Sequence, residues 1–181
     1  MRVCQVVANK LSCVGFVPNA KREIKSFMGE RLTIELVPRT CWYSNVRSNV
    51  SPEEWERLKR ITFKSAGYRC EICGGRGPQW PVECHEIWLY DDLHRIQKLG
   101  GLLALCPACH EVKHIGLAGA RGRAEIAVKH LAQVNEWDLE AACLHVDSCF
   151  EVWSQRSEHQ WQLDISFVQI YELPAQEKIN L

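Results

Sequence analysis

Two Cys-x-x-Cys pairs, Cys70/Cys73 and Cys106/Cys109, stand 32 residues apart and constrain this chain more than any other feature. Each pair forms a tight turn whose thiolates converge, and two turns supply a tetrahedral four-sulfur site for Zn²⁺. Gly74, Gly75 and Gly77 follow the first pair and permit the chain reversal that such a knuckle needs. Four neutral thiols would add little to folding, whereas structural zinc contributes on the order of 10 kcal/mol. A four-thiolate iron centre or a redox dithiol pair would be the competing use of the same spacing. The other cysteines (Cys4, Cys13, Cys41, Cys84, Cys143 and Cys149) follow no comparable pattern. The opening stretch is broken by Gln5, Asn9 and Lys10 and makes a poor secretory signal, so paired thiols point to a reducing compartment, the cytoplasm.

The histidines sharpen the picture. His110 and His114 are spaced i and i+4 directly after the second cysteine pair. On a helix starting near Ala108 or Cys109, both imidazoles project from one face and can grip one divalent ion. His85 lies upstream in the strand-like run Val-Glu-Cys-His-Glu-Ile-Trp. A single histidine is most often a satisfied core or surface residue, but three framed by a zinc knuckle predict a second, functional metal site.

The 181 residues are 46% hydrophobic and 24% charged, which argues against wholesale disorder. No run approaches the roughly 18 to 20 apolar residues of a bilayer crossing, so no membrane association is expected. Charge sums to zero but is uneven, with a net of −7 over residues 136–181 and +7 over 1–135. A basic working face suits a polyanionic ligand, and random scatter is the plainer alternative.

Residues 1–29 read as an extension, disordered or ahead of an alternative start at Met28, and 30–181 as a single domain with its core over 68–116. Leu32, Ile34 and Leu36 alternate with polar residues and predict a strand stopped by Pro38. Ser51-Pro52-Glu53-Glu54 predicts a helix start, with Ser51 as cap and Glu54 reaching back, and Trp55, Leu58 and Ile61 along one face. Gly67 ends that helix. Ile126, Leu131 and Val134 predict a helix closed by Asn135, and Leu139, Ala142, Val146, Phe150 and Trp153 a second, core-facing one. Trp161, Leu163, Ile165 and Phe167 predict a strand that pairs with the one at 32–37.

Around the cysteines and histidines the sequence resembles the HNH (ββα-metal) endonuclease family. The resemblance rests on Cys70-x2-Cys73, His85 on a strand, and Cys106-x2-Cys109-His110-x3-His114, about 45 of 181 residues. It implies an α+β fold: a zinc-pinned ββα-metal core with flanking helices, beside a small sheet of the N- and C-terminal strands. It also implies a metal-dependent endonuclease hydrolysing DNA phosphodiesters. In this reading Cys70, Cys73, Cys106 and Cys109 hold structural Zn²⁺. His85 is the general base, and His110 and His114 hold a catalytic divalent ion, Mg²⁺ or a transition ion. Lys98, Lys113, Arg121 and Arg123 would contact phosphates, and a homodimer is one arrangement that could cut both strands.

Two positions depart from the family pattern. Gly101 stands where a middle asparagine is usual, and Cys84 where an Asp or His precedes the base. Glu83, Glu86, Asp91 or Asp92 could supply a missing oxygen ligand, with Asp91-Asp92 also readable as a solvated turn. Glu86, adjacent to His85 on a strand, should face away from it. Trp80, Trp88 and Tyr90 could stack on bases or pack around a thin core. These departures motivate an alternative function, a catalytically inactive zinc-stabilised module on the HNH scaffold that binds nucleic acid or protein.

Overall fold

The computed structural model describes residues 30–171, and the expected extension over 1–29 lies outside them. The fold is α+β. The described chain divides into two compact units, Val37–His110 with the chain from Val152 on, and the chain up to Leu36 with Glu111–Glu151. No helix among the described residues is long and apolar enough to cross a membrane.

The first unit begins with short 3₁₀ turns at Arg39–Cys41 and Val46–Ser48, followed by helix α1, Pro52–Ser65. Ser51 caps α1 as its sequence predicts, its Oγ accepting from the Glu54 amide at 3.2 Å. Glu54 does not reach back. Its carboxylate turns along the helix and accepts from Arg57 at 2.5 Å, a guanidinium being a stronger donor than a neutral backbone amide. Gly67 follows the end of α1 at φ +58°, and Tyr68 repeats that left-handed conformation at φ +56°.

Strands β1 (Glu83–Asp91) and β2 (Ile96–Leu105) form an antiparallel hairpin. Asp91 closes its turn by accepting from the Leu93 and His94 amides at 3.0 and 2.9 Å. Asp92 pairs with Arg156 at 2.7 Å, so both acids serve the turn and its anchorage. The hairpin's inner face carries Trp88, Leu99 and Leu102, which pack with Leu58 of α1, Val46 and Val168. Cys84 and Tyr90 join the same cluster. A register shift between Ile87 and Trp88 leaves Gly100 as an extra residue on β2, so Leu99 and Leu102, three positions apart, both reach this core.

Gln97, in the middle of the sheet, is buried to 1% exposure, and neither end of its carboxamide has a hydrogen-bond partner among the described residues. A buried amide without partners costs about 1–3 kcal/mol. Gln97→Met keeps the shape and removes the polar atoms, so the midpoint of thermal unfolding should rise by several degrees. A fall in the midpoint would mean that the carboxamide is satisfied after all.

The expected sheet of N- and C-terminal strands is not formed. The C-terminal strand β3 covers only Gln162–Asp164 and pairs in parallel with Ile96–Lys98 of β2. Its chain then tightens into a 3₁₀ turn, Ser166–Tyr171, started by Asp164 accepting from the Ser166 amide.

The segment 32–37, whose residues up to Leu36 belong to the second unit, is not a strand. Its backbone is claimed by side chains and helix ends instead. The Asn135 amide accepts from Arg31 and Leu32 at 2.9 Å and donates to the Leu32 carbonyl at 2.8 Å, while the Glu35 amide donates to the Lys113 carbonyl. The alternation of Leu32 and Ile34 therefore reflects burial of an irregular segment. The unit also contains α3 (Ile115–Ala120), α4 (Ala124–Asn135) and the larger part of α5 (Leu139–Arg156). Ala142 and Val146 of the predicted α5 stripe are fully buried. On α4 the buried face is Ala127, Val128, Leu131, Ala132 and Val134, and Ile126 points outward at 54% exposure.

Candidate metal centre

The first cysteine pair sits on a knuckle whose hydrogen bonds are local. The Gly74 amide donates to the Cys70 carbonyl at 2.8 Å, and the Cys70 amide to the Gly75 carbonyl at 2.9 Å. Gly74 takes φ +72°, which glycine adopts without penalty. At Gly77 a side chain would collide with the Trp80 carbonyl at 2.1 Å and the Pro107 ring at 2.6 Å, so only glycine lets the knuckle close on the second pair. Glu71 fastens the knuckle to β2. Its amide donates to the Ala104 carbonyl, and its carboxylate accepts from the Ala104 amide at 2.6 Å.

Helix α2, Pro107–Lys113, presents the second pair. The His110 amide donates to the Cys106 carbonyl at 2.9 Å, so Cys106 sits at the N-cap and Pro107 in the first turn, where its missing N–H costs nothing. All four sulfurs lie within 4.8 Å of one another, and Cys73 and Cys106 are 3.6 Å apart. A tetrahedron with Zn–S bonds of about 2.3 Å has edges of about 3.8 Å. A disulfide would need about 2.05 Å, and the eight cysteines among the described residues are free thiols. Electrostatics fit the same donor set. A hydrogen bond from Cys109 pulls Cys70 down to about 4, burial pushes Cys106 up to about 11, and the hydrogen bond to Cys70, then burial, raises Cys109. A divalent cation would stabilise four thiolates together.

The histidines form a second group of donors. His85 is buried at 3% exposure, and its ring stands edge-on to His110 with centroids 5.3 Å apart. His114 lies in a break after α2 at φ −104° and ψ 43°, so the two helix histidines do not share one continuous helix. Nonetheless, ring nitrogens of His85, His110 and His114 all lie within 4.8 Å of one another. Three imidazoles at that separation are a donor set for a divalent ion.

Sequence spacing undervalued Glu83. It lies two residues from His85 on β1, and its Oε2 is 2.5 Å from Nδ1 of His110. The other acids named from sequence serve elsewhere. Glu86 faces away from His85, as strand alternation predicts, and accepts from the Val46 amide at 3.0 Å. Cys84 is packed in the core, where burial pushes its thiol up to about 12 and keeps it neutral. A side chain at Gly101 would meet Ile87 and Phe167, so the position faces apolar neighbours.

The expected phosphate contacts divide. Lys113 is corrected: it is 3% exposed, with its ammonium 2.6 Å from Glu35 and 2.7 Å from Thr33, because a buried ammonium needs a carboxylate or hydroxyl partner in place of water. Lys98 is exposed and 3.7 Å from Asp164, Arg121 is exposed, and Arg123 is exposed but forked onto Glu111. On the knuckle, Arg69 and Arg76 are exposed and donate to the Gly74 and Gly67 carbonyls. Trp88 and Tyr90 pack in the core, while Trp80 is 63% exposed.

The second unit holds a further cluster. Cys149 Sγ is 3.4 Å from Nε2 of His145, and Glu30 is 3.4 Å from its Nδ1. Burial, then the charge of Glu30, pushes the thiol up to about 11, the opposite of what an activated nucleophile needs. Comparison with models of known families, with curated proteins and with solved structures finds no match to this chain.

Proposed function

We propose that this chain is a zinc-stabilised, nucleic-acid-binding module on the HNH scaffold, with a second divalent ion held by its histidines. One observation supports it above the rest: two clusters of different donor chemistry, four thiols and three imidazoles, meet at the helix that follows a hairpin. The thiols suit a closed structural site, and the imidazoles a site able to exchange ligands. Exposed Arg69, Arg76, Lys98 and Arg121 supply positive charge for a phosphate backbone, and DNA is the expected partner. The binding module is the leading form because positions 84 and 101, which the family uses for a ligand and a bracing asparagine, here face apolar neighbours.

The second form is the active endonuclease, favoured by the convergence of His85 on His110. In it His85 takes a proton from the attacking water, a role suited to an imidazole with an ordinary pKa of about 6.5. His110 and His114 would hold the ion, and Glu83 orients the ring of His110. A bound ion would supply Lewis-acid stabilisation of charge on the phosphate and the leaving oxygen.

One experiment separates these forms. Zinc-loaded protein is incubated with plasmid and Mg²⁺, Mn²⁺ or Ni²⁺, and both gel retardation and nicking are read, with His85→Ala beside it. Retardation without nicking establishes the binding module, and nicking that His85→Ala loses establishes the nuclease. Neither retardation nor nicking with any ion overturns the nucleic-acid reading in both forms.

A further inference from the structure

We infer that Glu83 is the positioning residue of the histidine site, and that the site takes a first-row transition ion in preference to Mg²⁺. The inference rests on the reading of the three imidazoles as an ion site. The pleat of β1 sets Glu83 and His85 on one face of the hairpin, and Glu83 meets Nδ1 of His110 without being one of the three residues whose donor atoms converge. Its Oε2 lies 2.5 Å from Nδ1 of His110. An ionised carboxylate only accepts, so Nδ1 donates and Nε2 is the nitrogen assigned to the ion. A carboxylate behind a ligating imidazole fixes its tautomer and ring orientation and raises its basicity.

The ion's class follows from where the oxygen donors are spent. Glu83 is turned to His110, Glu86 to the Val46 amide, Glu71 to the Ala104 amide and Glu111 to Arg123. Asp91 closes the hairpin turn, and Asp92 pairs with Arg156. The Cys84 thiol packs in the core on the opposite face of β1. What converges is imidazole nitrogen. Mg²⁺ demands near-octahedral oxygen ligands, while imidazole suits zinc, nickel, copper and iron.

The test uses the full chain with its cysteine site filled by zinc, titrated with Co²⁺, Ni²⁺ and Mg²⁺. Binding is read by the visible absorption of Co²⁺ and by competition against it. Ni²⁺ and Co²⁺ should bind at least ~100-fold more tightly than Mg²⁺, following the ligand preferences above. Glu83→Ala should weaken Co²⁺ binding by about 10–100-fold. Glu83→Gln, which keeps an acceptor, should weaken it less, and both variants should retain the cysteine-bound zinc and the wild-type unfolding midpoint. Mg²⁺ binding as tightly as Ni²⁺ overturns the ion class, and wild-type affinity in Glu83→Ala overturns the positioning role. Absence of any ion beyond the cysteine-bound zinc overturns the underlying ion-site reading, a result distinct from the other two.

Discussion

Protein loaded with zinc at the four-cysteine cluster will lose the fold of the unit that carries the hairpin when the ion is withdrawn. Cys70, Cys106 and Cys109 are 2%, 5% and 0% exposed, so their sulfurs are interior atoms that the ion must neutralise and bind. The knuckle has little apolar material of its own: Cys73 and Ile72 are half-buried, and Glu71, Gly74 and Arg76 are exposed. Structural zinc contributes on the order of 10 kcal/mol, comparable to the 5–15 kcal/mol that is the whole net stability of a typical domain. A strong chelator, or Cys109→Ala, should therefore abolish the cooperative thermal transition of this unit. His110→Ala, one residue away but outside the sulfur cluster, should keep it. A chelated protein melting within a few degrees of the loaded one would show that the sulfurs do not hold the fold.

Glu35→Ala should cost about 3–5 kcal/mol, the usual penalty for stranding one member of a buried ion pair. Lys113 is nearly inaccessible, and its ammonium reaches Glu35 at 2.6 Å and Thr33 at 2.7 Å. Without the carboxylate, the charge keeps the Thr33 hydroxyl as its hydrogen-bond partner among the described residues, in a site that water barely enters. Lys113→Met should cost less, because the carboxylate it leaves behind is 17% exposed and can be partly hydrated. The double variant Glu35→Leu/Lys113→Met should recover most of the loss, since apolar replacements of buried pairs are often neutral. Denaturant midpoints of the four proteins measure this directly. A loss below about 1 kcal/mol for Glu35→Ala would place the pair among the weak surface bridges.

What could be read from sequence was chemistry carried by neighbours in the chain. The sulfur cluster followed from two Cys-x-x-Cys turns, because each turn positions its own thiols. The start of α1 followed from Ser51 and Pro52, because capping is decided within one turn. The misreadings came where the deciding partner is distant. The run 32–37 has a strand's alternation, but Asn135, about a hundred positions on, claims the backbone of Leu32, and the Lys113 carbonyl that of Glu35. Lys113 looked like a phosphate contact because charge alone does not reveal burial, which depends on Glu35, 78 positions away. Glu83 was one acid among four until the hairpin and α2 brought it to His110, 27 positions on.

The account rests on there being two metal sites of different chemistry in one chain. Counting metal ions per intact protein by native mass spectrometry, after loading with Zn²⁺, tests it most directly. Wild-type protein should hold two ions, one of which a mild chelator removes. The variant His85→Ala/His110→Ala/His114→Ala should hold a single ion that resists the same treatment. A wild-type chain that holds only one ion, or a triple variant that still holds two, would contradict the account.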